Sequence, residues 1–437
     1  MKKRIGFLFL TVCCMALFCA CGGSASQVPG KENVNMAQII ETALSKCDDQ
    51  TGQDVLKKKV VERFLTYVSF DTHSDPNAKA FPTSEKERAL GQYLAAELDS
   101  IGLKNVECDE FSYVYATLPA SEGCETAPVL ALICHMDVSD AVPANDIHTV
   151  IKPENGQNVI RTDGRTLLGA DDKSGIAEMV TAVEEMIRHP EYKHPQIRIV
   201  ITPDEEVGRG TEHIDLNKVG AAYAYTIDGE RLGELTYETW NGSAATVRFT
   251  GYSVHPGKAY GEMKNAGLMA SDYVGMLPKD ERPETTKDRV GFYFVREMSG
   301  AVDHATVEIQ IRDFEKEGIQ QKKDFLLALR DRINAEYGEG CCAVEIRDEY
   351  PNMKEYIMPD HENLVQSVRE AYQACGVELF ECPVRGGTDG STLSQMGLPT
   401  PNIGTGAREC HSVNEHIAVE SLEKMVEVLI DLASRFC

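Results

Sequence analysis

The sequence predicts an α/β protein: a doubly wound, mostly parallel sheet forming a catalytic domain, with a smaller α+β lid or dimerisation domain inserted into it. Two observations predict this. Continuous apolar runs at 129–134, 197–201 and 223–227 alternate with helical stretches, as parallel strands buried on both faces do. From about 241 to 351 the texture changes to period-two strands with two amphipathic helices, after which the strand–helix alternation resumes. A third observation concerns chemistry. The apolar runs stop at acids or a histidine, and the carboxyl ends of parallel strands border the ligand crevice in such sheets.

Taken in order, residues 1–21 read as a targeting segment. Lys2, Lys3 and Arg4 precede an apolar run from Ile5 to Phe18, which is too short to span a bilayer as a mature helix. Phe18-Cys19-Ala20-Cys21-Gly22-Gly23 resembles a bacterial lipoprotein box with Cys21 as the lipidated residue; an ordinary signal cleaved after Ala20 is the alternative. The expected location is the outer face of the bacterial cell membrane, held there only by the N-terminal lipid, against a secreted or cytoplasmic alternative. Residues 22–53 supply a small, polar tether and a short helix at 36–48.

The catalytic domain's first part, 54–240, opens with a helix at 54–68. Ser84-Glu85-Lys86-Glu87 has the form of a capping box, opening a helix to about Ser100 that Ile101-Gly102 closes. Strand 129–134 ends in His135-Met136-Asp137. A glycine-punctuated approach from Gly164 to Ala170 leads to Asp171-Asp172-Lys173 and a helix from Ser174 to about His189. Strand 197–201 spills into Thr202-Pro203-Asp204-Glu205-Glu206-Val207-Gly208, and strand 223–227 ends in Asp228-Gly229.

In the inserted domain, 241–351, segments 244–250 and 305–312 alternate, with Val307, Ile309 and Ile311 on one face. Segments 263–276 and 316–335 read as helices, and 344–346 as a short strand. The catalytic domain's second part, 352–437, carries a helix at 361–375, strand segments near 378–385 and 400–403, and a final helix over 419–436.

Of the 437 residues, 44 are Lys or Arg and 69 are Asp or Glu, and removal of the signal makes the balance more acidic still. That charge excludes nucleic acid and anionic membrane surfaces as partners. Ten cysteines lie beyond Cys21, none in CxxC pairs, and buried free thiols are the expected state although an exported chain favours disulfides.

Adjacent acids at a buried site repel and need a shared proton or a cation. Four strand ends offer His135, Asp171, Glu206 and Asp228, and the late loop 406–416 adds His411. One imidazole and two carboxylates per metal, with one carboxylate shared, make two zinc-like sites open to water. Asp137, two residues from His135 on an extended segment, has the spacing to hold the imidazole's second nitrogen. Glu205 neighbours Glu206 but points to the other side, where it can serve a bridging water as general base. Each element alone reads as ordinary: a structural histidine, a solvated turn, a charged loop. Their repetition at successive strand ends is what indicates a two-metal hydrolase.

Longer motifs carry a resemblance. Glu62-Arg63-Phe64-Leu65, His135-Met136-Asp137, Thr166-Leu167-Leu168-Gly169-Ala170-Asp171-Asp172-Lys173 and Thr202 to Gly210 are four of them. Val254-His255-Pro256-Gly257, Ile311-Arg312-Asp313-Phe314 and Arg385-Gly386-Gly387-Thr388-Asp389-Gly390 continue the series. With these motifs the chain resembles, from about residue 55 onward, the tripeptide-aminopeptidase branch of the co-catalytic zinc metallopeptidases, the family that also holds aminoacylases and glutamate carboxypeptidases. The resemblance implies one zinc on His135, Asp171 and Asp228 and a second on Asp171, Glu206 and His411. Asp171 bridges, with a cis peptide after it, and His411 is preferred to His416. The resemblance implies Asp137 and Glu205 as the catalytic pair. His255 is implied as an oxyanion donor reaching the partner's site across a homodimer, and Asn265, Arg312 and Arg385 as contacts to the peptide backbone and its C-terminal carboxylate. The chain departs from that pattern at Val138, in a short 139–164 segment, and at Glu230, which follows Asp228-Gly229.

The expected function is therefore removal of the N-terminal residue from short peptides, tripeptides foremost, with two Zn2+ per subunit and Co2+ or Mn2+ as alternatives. A dipeptidase, carboxypeptidase or N-acyl amino acid deacylase of the same fold is the enzymatic alternative, and a lipoprotein that captures peptides without cutting them is the non-catalytic one.

Overall fold

Three sheets organise the chain in a computed structural model that describes residues 52–437; the signal segment, Cys21, the tether and the helix expected at 36–48 lie outside the described residues. Helix α1 (Gly52–Val68) and helix α2 (Glu85–Ser100) lead into strands β1 (Lys104–Cys108), β2 (Val114–Leu118) and β3 (Leu130–His135). Strands β4 (Thr149–Glu154) and β5 (Gln157–Thr162) precede helix α3 (Ala170–Arg188), then β6 (Ile197–Thr202), β7 (Tyr223–Gly229) and β8 (Glu234–Thr236). The segment 241–350 holds β9 (Asn241–Thr250), α4 (Ala266–Gly275), β10 (Phe292–Gly300), β11 (His304–Asp313), α5 (Lys316–Tyr337) and β12 (Cys342–Tyr350). Helix α6 (Glu362–Ala374), β13 (Phe380–Glu381), α7 (Asp389–Gln395), β14 (Asn402–Gly404), β15 (Ala407–Arg408), β16 (His416–Ala418) and α8 (Val419–Ser434) complete it.

The eight-stranded sheet runs β1-β2-β6-β3-β7-β14-β8-β13. Its centre is parallel, β3 pairing with β6 on one side and β7 on the other, so three carboxyl ends emerge side by side. Every residue of β3 is buried, as its continuous apolar sequence requires. Helix α3 is buried along almost its whole length and packs against α1 and α8. The 241–350 segment forms a separate antiparallel sheet, β10-β11-β9-β12, with a core of its own built on Val247, Val307, Ile309, Ile311 and Leu326. No helix among the described residues is long and apolar enough to cross a membrane.

Several local expectations are corrected. Ser84 does cap α2, its side chain accepting from the Lys86 N–H. Glu87, however, does not reach back to close a capping box: its Oε2 accepts from Asp204 N, 3.1 Å away, on the loop after β6. A tertiary demand has overridden a local pattern. Helix α4 starts at Ala266 rather than 263, because Asn265 Oδ1 accepts from Leu268 N and fixes the start there. Strands β1, β2, β4, β5 and β10 arise where the sequence marked none; β10 is a largely exposed edge strand without apolar alternation, so its pairing with β11 leaves no periodic trace.

The expectation of free thiols is corrected as well. Cys124 is disulfide-bonded to Cys437 across 313 residues, with the Cα atoms 5.0 Å apart, tying the end of the chain to the loop before β3. Cys108, Cys134, Cys341, Cys342, Cys375, Cys382 and Cys410 are free. Because the bond closes a very long loop of the unfolded chain, Cys124→Ser is expected to destabilise the protein by about 2–4 kcal/mol. A urea unfolding curve superimposable on that of the oxidised wild type would contradict this.

Candidate metal centre

Strand β3 delivers His135 at its carboxyl end, 2 % exposed. Its neighbour β7 delivers Asp228. Between β6 and the next helix the chain turns sharply: Asp204 adopts φ 58° and opens a single 3-10 turn that carries Glu205 and Glu206. Asp171 stands at the start of α3, where it and Asp172 depart from helical angles and are joined by a cis peptide bond. His411 lies in the loop between β15 and β16 with φ 60°.

These five side chains converge. His135 Nε2 is 2.9 Å from Asp171 Oδ1 and 3.2 Å from Asp228 Oδ1. His411 Nε2 is 3.2 Å from Asp171 Oδ2 and 3.0 Å from Glu206 Oε2. Asp171 thus offers one oxygen to each imidazole. Asp172 also lies close, its ligand atom within 4.8 Å of those of His135 and Asp228. Both its oxygens are engaged with backbone, accepting from His135 N and Gly175 N at 3.2 Å each. That makes it a brace for β3 and α3. Gly175 has to be glycine for this packing, because a Cβ there would sit 2.2 Å from Ile227 O.

Asp137 is fully buried and acts as a three-way anchor. Its oxygens accept from Glu205 N at 3.0 Å and Glu206 N at 3.1 Å, and its Oδ1 lies 3.3 Å from His135 Nδ1. It therefore orients one imidazole and the acidic turn together. Behind the turn, Asp204 accepts from Thr83 N at 2.8 Å and from the Thr83 hydroxyl, while Glu87 holds Asp204 N.

Sequence reading assigned no role to two further carboxylates. Glu415, nearly inaccessible, accepts from Leu168 N at 2.8 Å, Gly169 N at 2.7 Å and Asp171 N at 3.0 Å. It holds the whole approach to the bridging residue. Asp389 accepts from the Thr202 hydroxyl at 3.1 Å, and a Cβ at Gly210 would press into its carboxylate at 2.4 Å. The only sequence signal for either was membership in a motif, the Gly-rich 385–390 stretch for Asp389 and the four-residue spacing from His411 for Glu415.

The electrostatics test whether cations fit. Burial raises Glu205 well above its ordinary value, with repulsion from Asp228 adding to it. Burial likewise pushes Asp228 and Asp389 up to about 7. Asp171 goes the other way: burial opposes its ionisation, but hydrogen bonds from His135 and His411 hold it below the usual carboxylate range. His411 is pushed up to about 11 by its hydrogen bonds to Asp171 and Glu206. Without a cation, this many buried carboxylates can be accommodated only by protonating acids and imidazoles. Two divalent cations relieve the same repulsion and leave both Nε2 atoms free as donors, so the residues fit a metal pair.

Two confluent clefts of about 580 and 710 Å3 share Glu205, Glu206, Gly387, Thr388 and His411 on their walls. Arg312, 8 % exposed, lines the larger one, bound to Glu349 at 2.9 Å and to Ser243 O at 3.1 Å. Asn265 and Arg385 do not line these walls, and neither does His255, whose expected place is a partner's site. His255 is exposed, its Nδ1 accepting from Gly257 N at 3.1 Å. Asn265 is engaged as the cap of α4. Arg385 donates to Thr286 O at 3.0 Å and Thr286 Oγ1 at 2.9 Å and lies over the Trp240 ring at 5.2 Å, which fixes it against the inserted segment.

A family model described as peptidase family M20/M25/M40 matches residues 131–435, a span that contains all five converging residues. The chain belongs to the M20/M25/M40 peptidase family. Like other M20 peptidases it is a metallopeptidase, a hydrolase of peptide bonds. It is 43 % identical over 400 residues to peptidase T of Clostridium perfringens strain 13, with 86 % of this chain and 98 % of that protein covered. Its fold is similar to the crystal structure of the aminopeptidase PepT from Bacillus cereus, with a TM-score of 0.73 at 24 % identity over 87 % of this chain and 98 % of that one. A dinuclear metal-binding M20 peptidase from Bacillus subtilis shares the fold at a TM-score of 0.64 and 14 % identity, covering 87 % of this chain and 98 % of that one.

Proposed function

We propose that this chain is a di-zinc aminopeptidase that removes the N-terminal residue from short peptides, with tripeptides as its substrates. The observation that carries the reading is Asp171, which faces both Nε2 atoms on the wall of the smaller cleft. The likeness to peptidase T over nearly the full length of that protein supports the peptide class.

His135, Asp171 and Asp228 would hold one zinc, and Asp171, Glu206 and His411 the other. When bound, such a pair acidifies a shared water and polarises the scissile carbonyl. Glu205, half-buried beside the ligands and oriented through its backbone by Asp137, takes the proton from the attacking water and hands it to the leaving amine. Asp137 keeps His135 in the tautomer that presents Nε2 to the metal. Arg312 engages the peptide's far end, and His255, exposed on the inserted segment, serves as the oxyanion donor to a second copy in a homodimer. Cys21 is the lipid attachment point of an exported chain; the Cys124–Cys437 disulfide supports an oxidising compartment.

A panel of alanine tripeptides tests the reading. The free-amine tripeptide is expected to release its N-terminal residue at least a hundredfold faster than the N-acetylated form is cut, and the C-terminal amide is expected to weaken KM. Faster cleavage of the acetylated peptide would make the enzyme a deacylase, and binding without cleavage would make it a capture protein.

A further inference from the structure

The smaller of the two metal-side clefts carries two arginines, Arg231 and Arg408, that the proposed mechanism does not use. Arg231 lies three residues after Asp228, and Arg408 three residues before His411, so the chain segments that deliver two metal ligands also deliver two guanidiniums. Both line the cleft of about 580 Å3 that holds Asp171, Glu205 and Asp228, and both line the adjoining cavity of about 480 Å3 behind it. They form the partition between the two spaces.

Among the described residues neither guanidinium has a carboxylate within 4.0 Å, in a chain with 69 acids to 44 bases. Arg231 is instead steadied by an aromatic face, its guanidinium carbon 4.3 Å above the ring of Phe380, which is 39 % exposed in the same cleft. Glu234 does not neutralise it: the Glu234 carboxylate accepts from the backbone N–H of Arg231 at 3.1 Å. Two like charges sharing one wall repel, and an incoming carboxylate relieves that repulsion while gaining charge-assisted, bidentate hydrogen bonds. Glu230 lines the same cleft, two residues beyond Asp228, and its carboxylate suits a substrate's α-ammonium.

We propose that Arg231 and Arg408 form the pocket for the substrate's first side chain and select peptides that begin with an acidic residue, aspartate or glutamate. This rests on the aminopeptidase reading. With the scissile carbonyl at the shared wall and the C-terminal end in the cleft of Arg312, the first residue occupies the cleft of Arg231 and Arg408.

The test compares kcat/KM for Glu-Ala-Ala, Ala-Ala-Ala and Lys-Ala-Ala in the metal-loaded native protein, in the double variant R231A/R408A and in the charge-keeping variant R231K/R408K. The native enzyme is expected to favour the Glu-leading over the Lys-leading peptide by roughly ten- to a hundredfold, mainly through KM. R231A/R408A is expected to lose that ratio, and R231K/R408K, which keeps the charge but not the bidentate fork, to retain only part of it, which separates lost recognition from a damaged fold. Absence of an acidic preference while Ala-Ala-Ala is cleaved, or a ratio that survives R231A/R408A, overturns this inference alone. Should R231A/R408A weaken all three peptides equally and spare their C-terminal amides, the two arginines grip the C-terminal carboxylate, and the inference also falls. If the native enzyme cuts N-acetylated peptides and not Ala-Ala-Ala, the aminopeptidase reading fails and takes this inference with it.

Discussion

Glu205→Gln is expected to lower kcat on a free-amine tripeptide by about 10²–10⁴-fold while the metal content per chain stays that of the wild type. Glutamine keeps the size of the side chain and its place on the 3-10 turn, because the turn is held through backbone: Asp137 accepts from Glu205 N and Glu206 N, and Glu87 from Asp204 N. What it loses is the ability to take a proton. The neighbouring Glu206 sits with His411 and Asp171, so its variant behaves differently, losing metal along with activity. Comparing metal content and turnover for the two substitutions separates base from ligand. Normal turnover in Glu205→Gln would remove the residue from the mechanism.

Glu415→Ala is expected to be among the most destabilising single substitutions, at roughly 3 kcal/mol or more, since it strands three buried N–H donors. Leu168, Gly169 and Asp171 all donate to this one carboxylate, so the segment that aims the bridging residue loses three hydrogen bonds at once. Metal affinity is expected to fall with it, by about 10–100-fold. Glu415→Gln keeps one acceptor oxygen and should fall between wild type and alanine in both measurements. A melting temperature and metal affinity unchanged in Glu415→Ala would show that the loop is held by other means.

Much of the site was legible because it is built at strand ends. A run such as Leu130–Cys134 can only be a buried strand, and a polar residue placed immediately after it must emerge at the crevice; the same holds for Asp228 after β7. The layer beneath was not legible. Glu415 grips backbone 244 residues away at Asp171, and Glu87 grips a loop 117 residues away, so no local pattern marks either. In Glu87 a sound local pattern misled, since the spacing of a capping box was present and the side chain was drawn to Asp204. The pair Cys124–Cys437 could not be read from spacing, because cysteine positions alone do not determine connectivity. Strands β4 and β5 form a short hairpin whose partner β16 lies far along the chain, and β10 is an exposed edge; neither needs the apolar alternation that announces a half-buried strand. The substrate contacts were the least legible. Arg312 does line a cleft, whereas Arg385 is held over Trp240 and by Thr286.

The paired-cation centre around Asp171 is tested most directly by counting bound metal in the native protein and in Asp171→Asn after identical loading and dialysis. Two divalent ions per chain in the native protein and no more than one in the variant are the expected result. A native protein that retains none, or an Asp171→Asn variant that still holds two tightly, would contradict it.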